Sequence, residues 1–87
     1  MHMFVISNNI YINEKDKEIV IMNMKRDIFL GLQDISYEIW KLLEQNCNID
    51  EIVCVISDKY NGERTLVKQD VEKIVKELMD YEIIKEI

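Results

Sequence analysis

Between Glu18 and Leu43 the chain reads EIVIMNMKRDIFLGLQDISYEIWKLL, and this run leaves little freedom of fold. Two apolar runs, Ile19–Met22 and Ile28–Leu32, flank a polar turn, Met24-Lys25-Arg26-Asp27, and a helical pattern carrying Ile39-Trp40 follows at once. Strand, short turn and strand predict an antiparallel hairpin, with strands at Ile19–Asn23 and Asp27–Leu32. In the latter, Ile28, Leu30 and Leu32 point one way and Phe29 and Gly31 the other. A hairpin this apolar needs helices across one face, and its outer strand presents a row of unpaired N–H and C=O groups.

The flanking sequence supplies the rest of a small domain. Phe4–Ile6 and Ile10–Ile12 read as a short strand pair or one broken strand, interrupted by Ser7-Asn8-Asn9, with a polar turn from Asn13 to Lys17. Helix one starts after Asp34 or Ser36, both competent N-caps, and its stripe is Ile35, Ile39, Leu42 and Leu43, with Trp40 beside it. Helix two starts at Asn48 with Glu51 three residues on, a capping-box spacing. Its apolar face is Ile49, Ile52, Val53, Ile56 and Tyr60, and Asn61-Gly62 ends it. Helix three runs from about Thr65 to Tyr81 on a stripe of Val67, Val71, Ile74 and Leu78, flanked by Val75 and Met79. Ile83-Ile84 close the chain as an extra turn or an extended tail. Strands that precede helices indicate an α+β class. The expected fold is a winged helix-turn-helix with an N-terminal three-stranded antiparallel sheet followed by three α-helices, one domain over residues 1–87.

Composition narrows function. Apolar residues make up 48% of the chain, which excludes disorder, and no apolar run approaches the roughly 20 residues of a membrane span. Met1-His2-Met3-Phe4 lacks the basic region and long apolar core of a signal peptide. Cys47 and Cys54 form no CxxC pair and are expected as reduced thiols in a cytoplasmic protein. Cys54, inside an apolar helical pattern, is expected to pack. His2 is the one histidine and sits at a terminus expected to fray, so no His-based triad or His-rich metal site can be assembled. No Gly-rich loop precedes a helix, and Asp50, Glu51, Asp70 and Glu72 read as charges on solvated helix faces. No catalysis and no cofactor are expected. The net charge is −6, with residues 1–26 at +1 and residues 27–87 at −7, and an acidic body repels phosphate backbones. Lys25-Arg26 is too small a basic footprint for DNA, so no nucleic-acid partner is expected.

The ordered set IVIMNMKRDIFLGLQDISYEIWKLL, NIDEIVCVISDKYN and DVEKIVKELMDYEII, over about residues 10–87, resembles the PqqD-like family. Its members include the chaperone of pyrroloquinoline quinone biosynthesis and the standalone recognition elements of lasso-peptide and other modified-peptide pathways. Ile28-Phe29 departs from the two aromatics the family often has there. The resemblance implies a non-catalytic protein that binds the leader of a ribosomally made precursor peptide and delivers it to a modifying enzyme or leader peptidase. The leader is then an added antiparallel strand beside the third strand of the sheet, in a groove walled by the last helix.

The residues fit that mode on physical grounds. An extended peptide can satisfy an exposed strand edge, and Asp27–Gly31 has neither Pro nor Lys to guard it. Candidates for the groove are Ile28 and Leu30 on the strand and Val67, Val71, Ile74 and Leu78 on helix three, with Asp70, Lys73 and Glu77 able to pair with polar groups of the leader. Arg26 and Asp27 stand where the strand begins and can fix register. Phe29 faces the sheet's open side, where it marks a docking surface for the enzyme or covers Val20 or Met22. Val71, Ile74 and Leu78 are equally what a core helix shows, and Trp40 reads as a core or shoulder residue. Two other uses stay open: a winged-helix DNA-binding regulator, and a homodimer in which the open edge pairs with its twin.

Overall fold

Ile19 and Ile21 alternate with Val20 and Met22, and that period of two builds a strand with one dry face. The computed structural model describes residues 3–87; Met1 and His2, and with them the expectation of a frayed His2, lie outside the described residues. The elements are β1 (Phe4–Ile6), β2 (Ile10–Lys15), β3 (Glu18–Asn23), β4 (Ile28–Gln33), α1 (Ile35–Glu44), α2 (Ile49–Tyr60), α3 (Arg64–Asp80) and β5 (Ile84–Glu86). The architecture is α+β: β2, β3 and β4 form an antiparallel sheet in that order, followed by three helices. Ile12, Ile21 and Leu30 stand in one cross-strand row on the inner face, and Tyr11, Met22 and Phe29 in one on the outer face. Ile19, Ile21 and Leu32 meet Ile39, Trp40 and Leu43 of α1, Ile52 and Ile56 of α2, and Val71, Val75 and Leu78 of α3 in a single core. Trp40 lies in it with no exposed surface, as its place beside the α1 stripe implied.

Several boundaries differ from expectation for local reasons. β1 and β2 neither pair with one another nor form one broken strand: β1 pairs antiparallel with β5, Phe4 opposite Glu86 and Ile6 opposite Ile84. The closing Ile83-Ile84 is thus a strand start, with both side chains buried. β2 runs through Asn13 to Lys15, and its turn is only Asp16-Lys17, both at positive φ (52° and 64°). A two-residue turn of that kind normally takes Asn-Gly or Asp-Gly, so Asp-Lys gives no sign of it and the sequence reads as a longer polar turn. Asp34 precedes α1 at φ 56°, ψ −126°, and its side chain makes no cap hydrogen bond. Ser36 does not cap either; its hydroxyl turns back to Gln33. The Asn48–Glu51 capping box on α2 is present in both directions. At the other end of α2 it is Asn61, not Gly62, that takes the left-handed conformation (φ 53°, ψ 34°). Gly62 serves close approach instead, since a Cβ there would meet Val67 Cγ2 at 2.7 Å. Of the two cysteines, Cys47 packs against the core. Cys54 is half-buried with its Sγ 3.4 Å from an Arg64 guanidinium nitrogen.

Candidate functional site

The ladder of β4 has one side in use. Met24 N–H donates to the Asn9 carbonyl (2.7 Å), so Met22, Val20 and Glu18 continue that bonding toward β2, and Asn23, Ile21 and Ile19 bond toward β4. In β4 this directs the N–H and C=O of Ile28, Leu30 and Leu32 to β3, and those of Phe29, Gly31 and Gln33 outward. β4 pairs with β3 alone, and the tail is engaged by β1 rather than lying over this edge. Gln33 is satisfied by Ser36, whose Oγ accepts its N–H (3.0 Å) and donates to its carbonyl (2.7 Å). Among the described residues, nothing pairs with the outward groups of Phe29 and Gly31. The opposite edge, β2, is better defended: it carries Lys15 and the inward-facing Glu14, devices that discourage strand addition. Glu14 binds the Tyr37 hydroxyl and Lys41 Nζ, each at 2.7 Å.

The turn before β4 and the residue just after it each meet one end of α3. At one end Asn23, 2% exposed, is the bolt. Its Nδ2 donates to the Tyr81 and Glu82 carbonyls (2.9 and 3.3 Å), and its Oδ1 accepts the Lys25 and Arg26 N–H groups (3.0 and 3.2 Å). Arg26 adds a bond to the Asp80 carbonyl at 3.0 Å and an ion pair with Glu82 at 3.3 Å. At the other end Ile35, just past β4, lines an apolar cavity of about 230 Å³ with Ile56, Leu66, Val67, Asp70 and Val71. β4 therefore starts at the C-terminal end of α3 and finishes at its N-terminal end. The helix turns Met79 toward β5 and Ile84, which leaves Val67, Asp70, Ile74 and Glu77 on the flank toward β4.

Set against this geometry, the expected site residues separate. Ile28 and Leu30 are half-buried on the inner face of β4, and Val67, Ile74 and Glu77 are half-buried on the facing flank of α3, with Asp70 exposed at its upper end. Phe29, 66% exposed, lies on the outer face in the row with Tyr11 and Met22. Val71 and Leu78 are wholly inside the core, each 0% exposed, so they support the groove from behind and offer it no surface. Lys73 is exposed on the solvent side of α3. Arg26 and Asp27 are spent on the turn: the Arg26 guanidinium is held by α3, and the Asp27 N–H donates to the Asn23 carbonyl (2.9 Å) at φ 56°. From sequence Ser36 reads as a helix cap, Ile35 as part of the α1 stripe and Asn23 as a strand end, none of them as part of the site. Asn23 carried a signal, being the one polar residue closing an apolar strand before a turn.

Burial pushes the Cys47 thiol above its ordinary range and Glu51 adds to the effect, so this sulfur stays protonated and poorly nucleophilic. No helix among the described residues is long and apolar enough to cross a membrane.

No curated protein matches this sequence. Among solved structures, "TbiB1 in Complex with the TbiA(beta) Leader Peptide" is 28% identical with a TM-score of 0.86, over 92% of this chain and 93% of that one. "Lasso peptide synthetase B1 complexed with the leader peptide" shares the fold at 20% identity and a TM-score of 0.79, over 94% and 96% of the two chains. Residues 18–84, from the first residue of β3 to the first of β5, match the family described as "Coenzyme PQQ synthesis protein D (PqqD)". The chain belongs to the PqqD family.

Proposed function

We propose that this chain is a non-catalytic recognition protein for the leader of a ribosomally synthesised precursor peptide, as in lasso-peptide pathways, and that it presents the bound leader to a modifying enzyme or leader peptidase in the cytoplasm. The observation that carries the reading is the uncharged, unpaired edge of β4 beside a half-buried helix flank. It occurs in a chain 28% identical to a protein solved with a leader peptide on it. Backbone pairing to Phe29 and Gly31 supplies affinity that any extended peptide can use. Choice comes from alternate leader side chains, which enter the groove between Ile28 and Leu30 on one wall and Val67, Ile74 and Glu77 on the other, with Asp70 at its end. Phe29, on the far face, is left to the enzyme: Tyr11, Val20, Met24 and Phe29 are all exposed, an apolar patch of the kind that marks a protein contact.

Calorimetric titration with a synthetic leader of the cognate precursor tests this. Binding is expected at about micromolar Kd or tighter, near −8 kcal/mol. Ile28→Asp should weaken it by about tenfold or more, a loss of roughly 1.4 kcal/mol or more, with the circular dichroism spectrum unchanged. Phe29→Ser should keep leader affinity and lose enzyme capture. Val71→Asp is not a usable probe, because it places a charge in the core and unfolds the chain. Absence of any leader binding by the wild-type protein overturns the proposal.

A further inference from the structure

The free edge of β4 is short, and its far end is closed by a side chain. Gln33 has its N–H and C=O directed outward like those of Phe29 and Gly31, yet both are already bonded to one atom, Ser36 Oγ, at 3.0 and 2.7 Å. A hydroxyl that accepts from and donates to the same residue imitates the pair of bonds a neighbouring strand would make. At the near end, Asp27 has left the extended conformation (φ 56°) and its N–H is taken by Asn23. What remains is two residues wide. Ser36 itself lies in the first turn of α1.

A side chain with a period of two makes register expensive to get wrong: a one-residue slip turns every guest side chain to the opposite face. Where the ladder stops, in turn, sets how many guest residues can pair. We propose that Ser36 is a positioning residue that caps the β4 edge at Gln33, so that a guest strand pairs with Phe29 and Gly31 and stops short of Gln33. This rests on the leader-binding reading above and adds to it the length of the pairing. The guest residue between the two bonded positions then faces Leu30 and the α3 flank. The one opposite Gly31 gains space on the outer face, where a Cβ on the glycine would meet nothing within 4 Å.

Amide hydrogen exchange on isotope-labelled protein, with and without the synthetic cognate leader, decides it. In the wild type the leader should slow exchange at Phe29 and Gly31 by about tenfold or more and leave Gln33 unchanged. Ser36→Ala should make the Gln33 amide exchange faster in the free protein and become protected when leader is added. Ser36→Thr, which keeps the hydroxyl, should restore the wild-type pattern. New protection of Gln33 by leader in the wild type overturns the proposal without recourse to any variant. So does a Ser36→Ala complex in which leader leaves Gln33 unprotected. Failure of leader to protect Phe29 or Gly31 in any form overturns the leader-binding reading as well, and is told apart by that pattern.

Discussion

Asn23 decides more than its size implies. One amide group satisfies two carbonyls of the α3 exit and two N–H groups of the β3–β4 turn. Buried donors and acceptors left without partners cost about 1–3 kcal/mol each site of loss. Asn23→Ala should therefore lower stability by about 2–3 kcal/mol in urea titration and weaken leader binding, since the turn that starts β4 loses its anchor to the helix. Asn23→Asp should do no better, because it sets a carboxylate against the Tyr81 and Glu82 carbonyls. Single residues were also where sequence reading fell short. Asp16, Lys17 and Asp34 sit at positive φ, a conformation costing roughly 1–2 kcal/mol for a residue with a Cβ. Propensity argues against each of them there, and only hairpin closure and the β4–α1 junction impose it. The Ser36 closure was hidden for a related reason: Ser before a helix reads as a cap, and which way the hydroxyl turns is settled by the strand end beside it.

At the scale of elements, period carried the prediction and rotation limited it. The hairpin, the three helices and the inner and outer faces of β4 all follow from spacings of two and of three to four. The expected α3 stripe is centred roughly a tenth of a turn from the buried line and shares Val71 and Leu78 with it. Val71, Val75 and Leu78 are the buried line, and Val67 and Ile74 lie beside it. Apolar residues on both lines made the two indistinguishable by pattern, and contact with α1 and α2 chooses between them. The pairing of β1 with β5 spans almost the whole chain and has no local signal at all. Charged clasps between elements give a pH signature. Burial acts to raise the Glu38 carboxyl, yet hydrogen bonds from Lys59 and Tyr60 outweigh it and hold the group below its ordinary 4.5. Lys41, then Tyr37, lower Glu14. A folded-state pKa below the unfolded one stabilises fully above the unfolded value and fades as pH falls through the folded one. The urea midpoint should thus hold above about pH 5 and decline below it, with a shallower decline in the Glu14→Gln, Glu38→Gln double variant. The change should be small, since both clasps face solvent.

For the molecule as a whole, charge chooses among partners. A net −6, concentrated after residue 26, opposes a phosphate backbone, and the one basic pair is compromised because Arg26 is engaged with Asp80 and Glu82. Duplex DNA should show no retardation in a gel even at low salt, where such binding is strongest. A second copy could use the same vacant edge only by displacing the guest, so added leader should dissociate any dimer seen by light scattering. The pairing of β1 with β5 also has a mechanical meaning. The chain enters and leaves this little ladder at one end, with the Ile87 N–H on the Met3 carbonyl. Tension applied through those two points opens it like a zip, one bond after another, rather than shearing all at once. Peeling β5 next tugs on Glu82 and Tyr81, and through them on Asn23. Because Ile83 and Ile84 leave the core with it, the interior would loosen in the same stroke.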